Sequence, residues 1–231
     1  MIFYRNFLYY GEYMRIRRKP WARPELAACS FFVDEPCLQK GRWADWFEKR
    51  QPLHLELGCG KGGFVAQLAL ANPNINYLAV DIKSEVLAIG RREIVRHFEE
   101  NGQRVNNIAL TSHDIAQIDQ ILSPDDRIER IYINFCNPWP KTKHKKRRLT
   151  YPRQLAQYRT FLVKSGEIRF KTDDEGLFYD SLAYFAQCGF SVPFQTDDLH
   201  KCAIADNIQT EHEKMFTEMG KTIYACTAVN R

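Results

Sequence analysis

The residues richest in chemistry cluster around one glycine turn and the acids that follow it. Gly58-Cys59-Gly60-Lys61-Gly62-Gly63 matches G-x-G-x-x-G, a spacing that lets a tight turn bring backbone N–H groups against a nucleotide. Alone, such a turn fits many α/β proteins. Asp81 strengthens it, because it ends the next apolar stretch, where an acid reaches the ribose hydroxyls of an adenosine. That combination suits a nicotinamide enzyme as well as one that uses S-adenosylmethionine. Glu56, two positions before the first glycine, favours the second: a carboxylate beside the turn suits a cationic sulfonium and ammonium better than an anionic pyrophosphate. Its bland alternative is a cap for the following helix. Asp114 closes a third apolar stretch, where it faces either an adenine amino group or only solvent. Glu56, Gly58, Gly60, Asp81 and Asp114 are thus the expected contacts of S-adenosylmethionine.

A second constellation is Asn134-Phe135-Cys136-Asn137-Pro138-Trp139-Pro140-Lys141, followed by Lys143-His144-Lys145-Lys146-Arg147-Arg148. This stretch resembles the bacterial tRNA (guanine-N7)-methyltransferase family, whose hallmark is Asp-Pro-Trp leading into a run of Lys, Arg and His. The resemblance continues in Phe170-Lys171-Thr172-Asp173, in Thr210-Glu211-His212-Glu213-Lys214-Met215-Phe216, and in Met14-Arg15-Ile16-Arg17 with Lys19-Pro20-Trp21-Ala22. It covers the chain from Met14 to Val229. The resemblance implies a Rossmann-like class I methyltransferase fold and methyl transfer from S-adenosylmethionine to N7 of a variable-loop guanine in tRNA. It places Glu56, Asp81, Asp114 and Asn137 on cofactor positions, and Asn137 also on the catalytic one. Lys141, Asp173, Thr210, Glu211, His212 and Glu213 fall on substrate positions; Lys143, His144, Lys145, Lys146, Arg147 and Arg148 fall on the RNA-contacting run. Two positions depart from the family pattern: Asn137 stands for the usual Asp, and His212 for the usual Tyr.

Guanine N7 has an in-plane lone pair and no proton, so transfer needs no general base, and catalysis is mostly positioning. Asn137 keeps a carbonyl acceptor but lacks the charge that a carboxylate would set against the cationic product. Trp139 either stacks on an exposed base or packs beneath its loop. Asn137-Pro138-Trp139 also resembles the Asn-Pro-Pro-aromatic motif of exocyclic-amine methyltransferases, and a non-catalytic RNA-binding relative is the alternative from another class.

These groups need a scaffold, and alternating apolar patches supply one. Strands are expected at Leu53–Leu57, Tyr77–Asp81, Asn107–Thr111, Arg130–Phe135 and Gly166–Thr172, with late strands at Phe190–Gln195 and Thr222–Ala228. Helices are expected from Gly62 to Ala71, over Val86, Leu87, Ile94, Val95 and Phe98, from Tyr151 to Lys164, and from Phe178 to Cys188. Strand–helix repeats of this kind make a mostly parallel sheet with helices on both faces and its ligands at the carboxyl ends of the strands, and the family resemblance implies a late antiparallel strand. Residues 1–40 read as an irregular basic and aromatic arm, with 1–13 a dispensable extension, and 41–231 as one methyltransferase domain, opened by a short helix at Trp43, Trp46 and Phe47.

Charge supports a polyanionic partner. Net charge is +5, yet ten Lys or Arg and no acid fall between Arg130 and Gly166. Arg15, Arg17, Arg18, Lys19 and Arg23 form a second acid-free cluster. No apolar run is long enough for a membrane span. Seven scattered cysteines without a C-x-x-C pair predict neither a metal site nor a disulfide framework and suit a reducing cytoplasm. A monomer and a homodimer fit equally well.

Overall fold

Residues 18–202 and 207–231 are described by a computed structural model in which the apolar patches line up as one eight-stranded sheet. Its strands are β1 (Phe32–Val33), β2 (Leu53–Leu57), β3 (Asn76–Asp81), β4 (Ile108–Ser112), β5 (Ile128–Asn134), β6 (Leu162–Thr172), β7 (Phe190–Thr196) and β8 (Tyr224–Asn230). Their spatial order is β1-β4-β3-β2-β5-β6-β8-β7; neighbours from β1 to β6 run parallel, and β8 is antiparallel to both β6 and β7. The helices are α1 (Ala22–Ala27), α2 (Trp43–Trp46), α3 (Gly63–Ala71), α4 (Ser84–Glu100), α5 (Pro152–Phe161), α6 (Glu175–Gln187) and α7 (Glu211–Glu218).

A parallel sheet covered on both faces needs strands that are apolar throughout. In β2 all five residues are buried. Leu53, Leu55 and Leu57 pack with Trp43 of α2, Leu155 and Tyr158 of α5, and Phe178 and Phe185 of α6. His54 turns to the opposite face and meets Tyr77 and Tyr132, which pack with α1, α3 and α4. Alternation along β2 puts Glu56 on that second face as well. Trp43 is wholly buried, its indole N–H donating to the Ile121 carbonyl at 2.7 Å.

Residues 1–40 are not a wholly irregular arm. In their described part α1 lays Ala22 and Leu26 against α4, and β1 extends the sheet, pairing Phe32 with Leu110 and Val33 with Thr111. A two-residue strand has no period to read, and its pairing depends on a partner 78 residues away, as when the Thr111 hydroxyl donates to the Val33 carbonyl at 2.7 Å. The dispensable extension, Arg15 and Arg17 lie outside the described residues. A second correction concerns the helix expected to Lys164: α5 stops at Phe161, and Leu162 starts β6. Leu162 continues the apolar spacing of α5, but opposite Ile128 it is buried from a strand instead. Among the described residues no helix is long and apolar enough to cross a membrane.

Strand order reverses between β2 and β5: from β2 the sheet grows outward through β3 and β4, and from β5 the other way through β6. Such a reversal leaves a crevice at the carboxyl ends of the two strands.

Candidate cofactor and substrate site

The turn leaving β2 fills one wall of that crevice. Gly58 and Gly60 have φ of 79° and 53°, the left-handed region that strains other residues. A Cβ on either would meet nothing within 4 Å, so open space borders the turn. Gly90 of α4 serves packing instead, since a Cβ there would press on the backbone of Gly60 and Lys61 at 3.0–3.2 Å. Asp81 braces the turn from the end of β3, accepting from the Gly60 N–H and the Lys83 N–H, both at 3.1 Å. A carboxylate has about four lone-pair sites, so two remain for hydroxyl donors. Next to it Ile82 is 58% exposed, an apolar surface beside Asp81 that no motif spacing marks.

Glu56 is buried, and its Oε2 has no hydrogen-bond partner. Asn134 Nδ2, on the neighbouring β5, is likewise buried without a partner. Burial pushes the Glu56 carboxyl up to about 8; the Asn134 amide opposes the shift, and the Asp81 charge adds to it. The Asn134 amide thus lies within reach of the Glu56 carboxyl, and a buried acceptor without a full hydrogen-bond partner beside the glycine turn is what the cationic end of a ligand would satisfy. Asp114, exposed beyond β4, accepts from the Ala116 N–H at 2.9 Å and starts a short 3-10 helix, Ile115–Gln120. With an adenosine ribose at Asp81, the donor set therefore fits S-adenosylmethionine.

The loop after β5 is strained. Phe135 and Trp139 have φ of 51° and 42°, which side chains rarely adopt. Between them Asn137 is exposed and accepts from the Trp139 N–H at 3.0 Å. The Trp139 ring stacks on His144 at 5.7 Å and carries the Arg147 guanidinium 5.0 Å from its centre, so it packs within the basic loop. Burial pushes the Cys136 thiol up to about 12 and raises Cys59 as well, so neither thiol beside the crevice is a ready nucleophile.

The basic run divides in two. Lys141, Lys143, Lys146 and Arg147 are exposed. Arg148 is 3% exposed; it donates to the Pro138 carbonyl at 2.7 Å and to Asp180 of α6 at 2.6 Å. Lys145 binds the same Asp180 oxygen at 2.6 Å. Arg148, expected on the RNA, is instead a strut holding the strained loop to α6. No local pattern signals this, because Asp180 is 32 residues away.

The substrate positions also split. Asp173 is paired with Lys221 at 2.7 Å, and Glu211 with Lys61 of the glycine turn at 3.0 Å. His212 stacks on Phe135 at 6.1 Å, joining α7 to the loop that carries Asn137. Thr210 and Glu213 face inward: the Thr210 hydroxyl caps α7, accepting from the Glu213 N–H at 3.0 Å, and Glu213 is wholly buried. Their expected contact with substrate is not available in this arrangement. Among the described residues, no group of three or more His, Cys, Asp or Glu is placed to hold a metal ion.

Comparison with known proteins places the chain among methyltransferases. A family model described as "Putative methyltransferase" matches residues 50–226. A tRNA (guanine-N(7)-)-methyltransferase of Ruminiclostridium cellulolyticum is 58% identical over 208 residues, spanning 90% of this chain and 88% of that protein. The enzyme of the same name from Acetivibrio thermocellus is 54% identical over 207 residues, 90% of this chain and 95% of its own. Among solved structures, the N-methyltransferase NodS from Bradyrhizobium japonicum, in complex with S-adenosyl-L-homocysteine, superposes with a TM-score of 0.52 at 12% identity, covering 94% of this chain and 91% of that one. That likeness is one of fold.

Proposed function

Because this chain belongs to the tRNA (guanine-N(7)-)-methyltransferase family, we propose that the crevice between β2 and β5 holds S-adenosylmethionine and brings a tRNA guanine to it through N7. The chain is a methyltransferase of the class I fold, and the observation that carries the assignment of its site is the buried Glu56 carboxylate, open on one oxygen beside the glycine turn. S-adenosylmethionine supplies the methyl group and a cationic sulfonium.

Each residue then has one task. Glu56 sets a negative charge against the cationic end of the ligand, and the Asn134 amide beside it on β5 favours the charged form of that carboxyl. Asp81 uses its remaining lone pairs on the ribose hydroxyls, while Ile82 and Asp114 take the adenine face and edge. Asn137 orients the guanine. Since N7 has a free lone pair, no residue has to remove a proton first. Asp173, Glu211 and His212 line the same end of the sheet and support the substrate. The exposed cations of the basic loop neutralise tRNA phosphates without reading sequence. A variable-loop guanine as target and the cytoplasm as setting complete the proposal.

Calorimetry tests the cofactor site. Saturable binding of S-adenosylmethionine is expected, weakened in Asp81→Ala by ~1–3 kcal/mol for lost charge-assisted bonds. Tight NAD binding without an S-adenosylmethionine signal would overturn the assignment.

A pH dependence follows from Glu56. Its carboxyl, held up to about 8 by burial, must release a proton to face a cation. Affinity is therefore expected to rise with pH between ~6 and ~7.5, by up to ~10-fold per unit, and proton release should accompany binding. Glu56→Gln should flatten both. For the ligand-free protein the sign is opposite: the folded state holds a proton that the unfolded chain loses near its ordinary value of ~4.3. The stability contributed by that proton falls as pH rises from there to about 8. Binding without proton uptake or release across this range would remove Glu56 from the cation site.

A further inference from the structure

Beneath the substrate-facing groups lies a closed polar knot that the assigned roles leave unexplained. Lys171 of β6 directs its ammonium at three acceptors: Asn207 Oδ1, the Ile208 carbonyl at 3.0 Å and Glu213 Oε2 at 2.9 Å. An ammonium has three donors, and all are used. The second Glu213 oxygen accepts from Asn207 Nδ2 at 2.8 Å, so the Asn207 amide is engaged on both sides. The Glu213 side chain is 0% exposed and that of Lys171 13%. Burial lowers the Lys171 pKa, and the Glu213 charge opposes that shift. Lys171 and Asn207 also border a cavity of about 200 Å³ that Phe64, Tyr132 and Asn134 help to line.

Its position gives it a function. Lys171 lies near the end of β6, two residues before Asp173, which directly follows the strand, and Glu213 directly follows Glu211 and His212 on α7. The Lys61–Glu211 pair of α7, and the Lys221–Asp173 pair just beyond its end, are partly or largely exposed, and exposed pairs contribute little to geometry or stability. The Lys171 backbone carbonyl also accepts from the Phe135 N–H at 2.9 Å, at the start of the loop carrying Asn137. One residue thus touches the strand end, the helix start and the strained loop.

We propose that Lys171 is a positioning residue for methyl transfer: through Glu213 and Asn207 it fixes the start of α7, and so sets Glu211 and His212 opposite Asp173 around the guanine. This rests on the substrate assignment above. A displacement of about 1 Å at a reacting centre costs on the order of 100-fold in rate, so a buried, directional tie is suited to the task. Breaking such a pair on one side leaves an unpaired buried charge, whereas removing both charges in favour of apolar side chains is commonly tolerated.

That asymmetry supplies the test. Lys171→Met, Lys171→Arg and the double variant Lys171→Met/Glu213→Met are compared with the natural chain in single-turnover transfer to unmodified tRNA, in calorimetry with S-adenosylmethionine, and in thermal melting. Lys171→Met is expected to lower the rate ~10- to 100-fold while leaving S-adenosylmethionine affinity within about twofold. Lys171→Arg, which keeps the charge, should recover part of the rate. The double variant should melt close to the natural chain and still transfer slowly; should Lys171→Met fail to fold, the double variant carries the comparison. Recovery of both melting and rate in the double variant, or an undiminished rate in Lys171→Met, would show that the knot only stabilises. Absence of 7-methylguanosine with the natural chain would instead overturn the substrate assignment itself.

Discussion

Asn137→Ala is expected to slow methyl transfer by ~10- to 1000-fold, the range for removing one preorganised contact from a reacting centre. Asn137 sits between two residues in the left-handed region, and its carbonyl accepts from the Trp139 N–H. Alanine removes both the turn bond and the group presented to guanine. Asn137→Asp should preserve or raise the rate: one carboxylate oxygen can keep the Trp139 N–H, and the charge then opposes the positive charge that grows on the alkylated base. Single-turnover transfer to unmodified tRNA, with identification of the product nucleoside, measures this. If neither the natural chain nor the Asp variant transfers while both still bind S-adenosylmethionine and tRNA, Asn137 marks a binding protein. Methyl groups on an exocyclic amine would assign the loop to the other chemistry that its Asn-Pro-Trp resembles.

Replacing Lys141, Lys143, Lys146 and Arg147 together by alanine is expected to weaken tRNA binding by roughly 250- to 600-fold at ~0.15 M salt. Each neutralised phosphate adds ~0.7–0.9 to the slope of log affinity against log salt, about four- to fivefold per contact at that concentration, and the slope should fall by about 3. Arg148→Ala is the contrasting control. Its guanidinium is buried against Pro138 and Asp180, so the variant should lower melting temperature and transfer rate while leaving the salt slope nearly unchanged. Filter binding across a salt series separates the two. An unchanged slope in the quadruple variant would mean that the exposed cations are only a solvated face, and a fall of about one for Arg148→Ala would restore it to the RNA surface.

Local sequence determined what local physics controls. The apolar run of β2, the glycines after it and Asp81 at the end of β3 act within a few residues of each other or one strand apart, so the glycine turn and the acid that braces it were legible from spacing and residue type. The sheet class followed from strand–helix repetition, and the antiparallel β8 from the resemblance. Composition located the cations between Arg130 and Gly166 without dividing them.

Tertiary structure decided which way equivalent residues point. Arg147 and Arg148 are adjacent and chemically alike, yet one is exposed and the other buried, because Asp180 of α6 lies under the second. Glu211 and Glu213 share one turn of α7, but the helix rotates Glu211 toward Lys61 and Glu213 into the Lys171 knot. The two-residue β1 exists only because β4 offers it an edge. In each case the deciding energy is a buried charge or backbone group that must find a partner, and the partner is supplied by a segment tens of residues away, which no local pattern encodes.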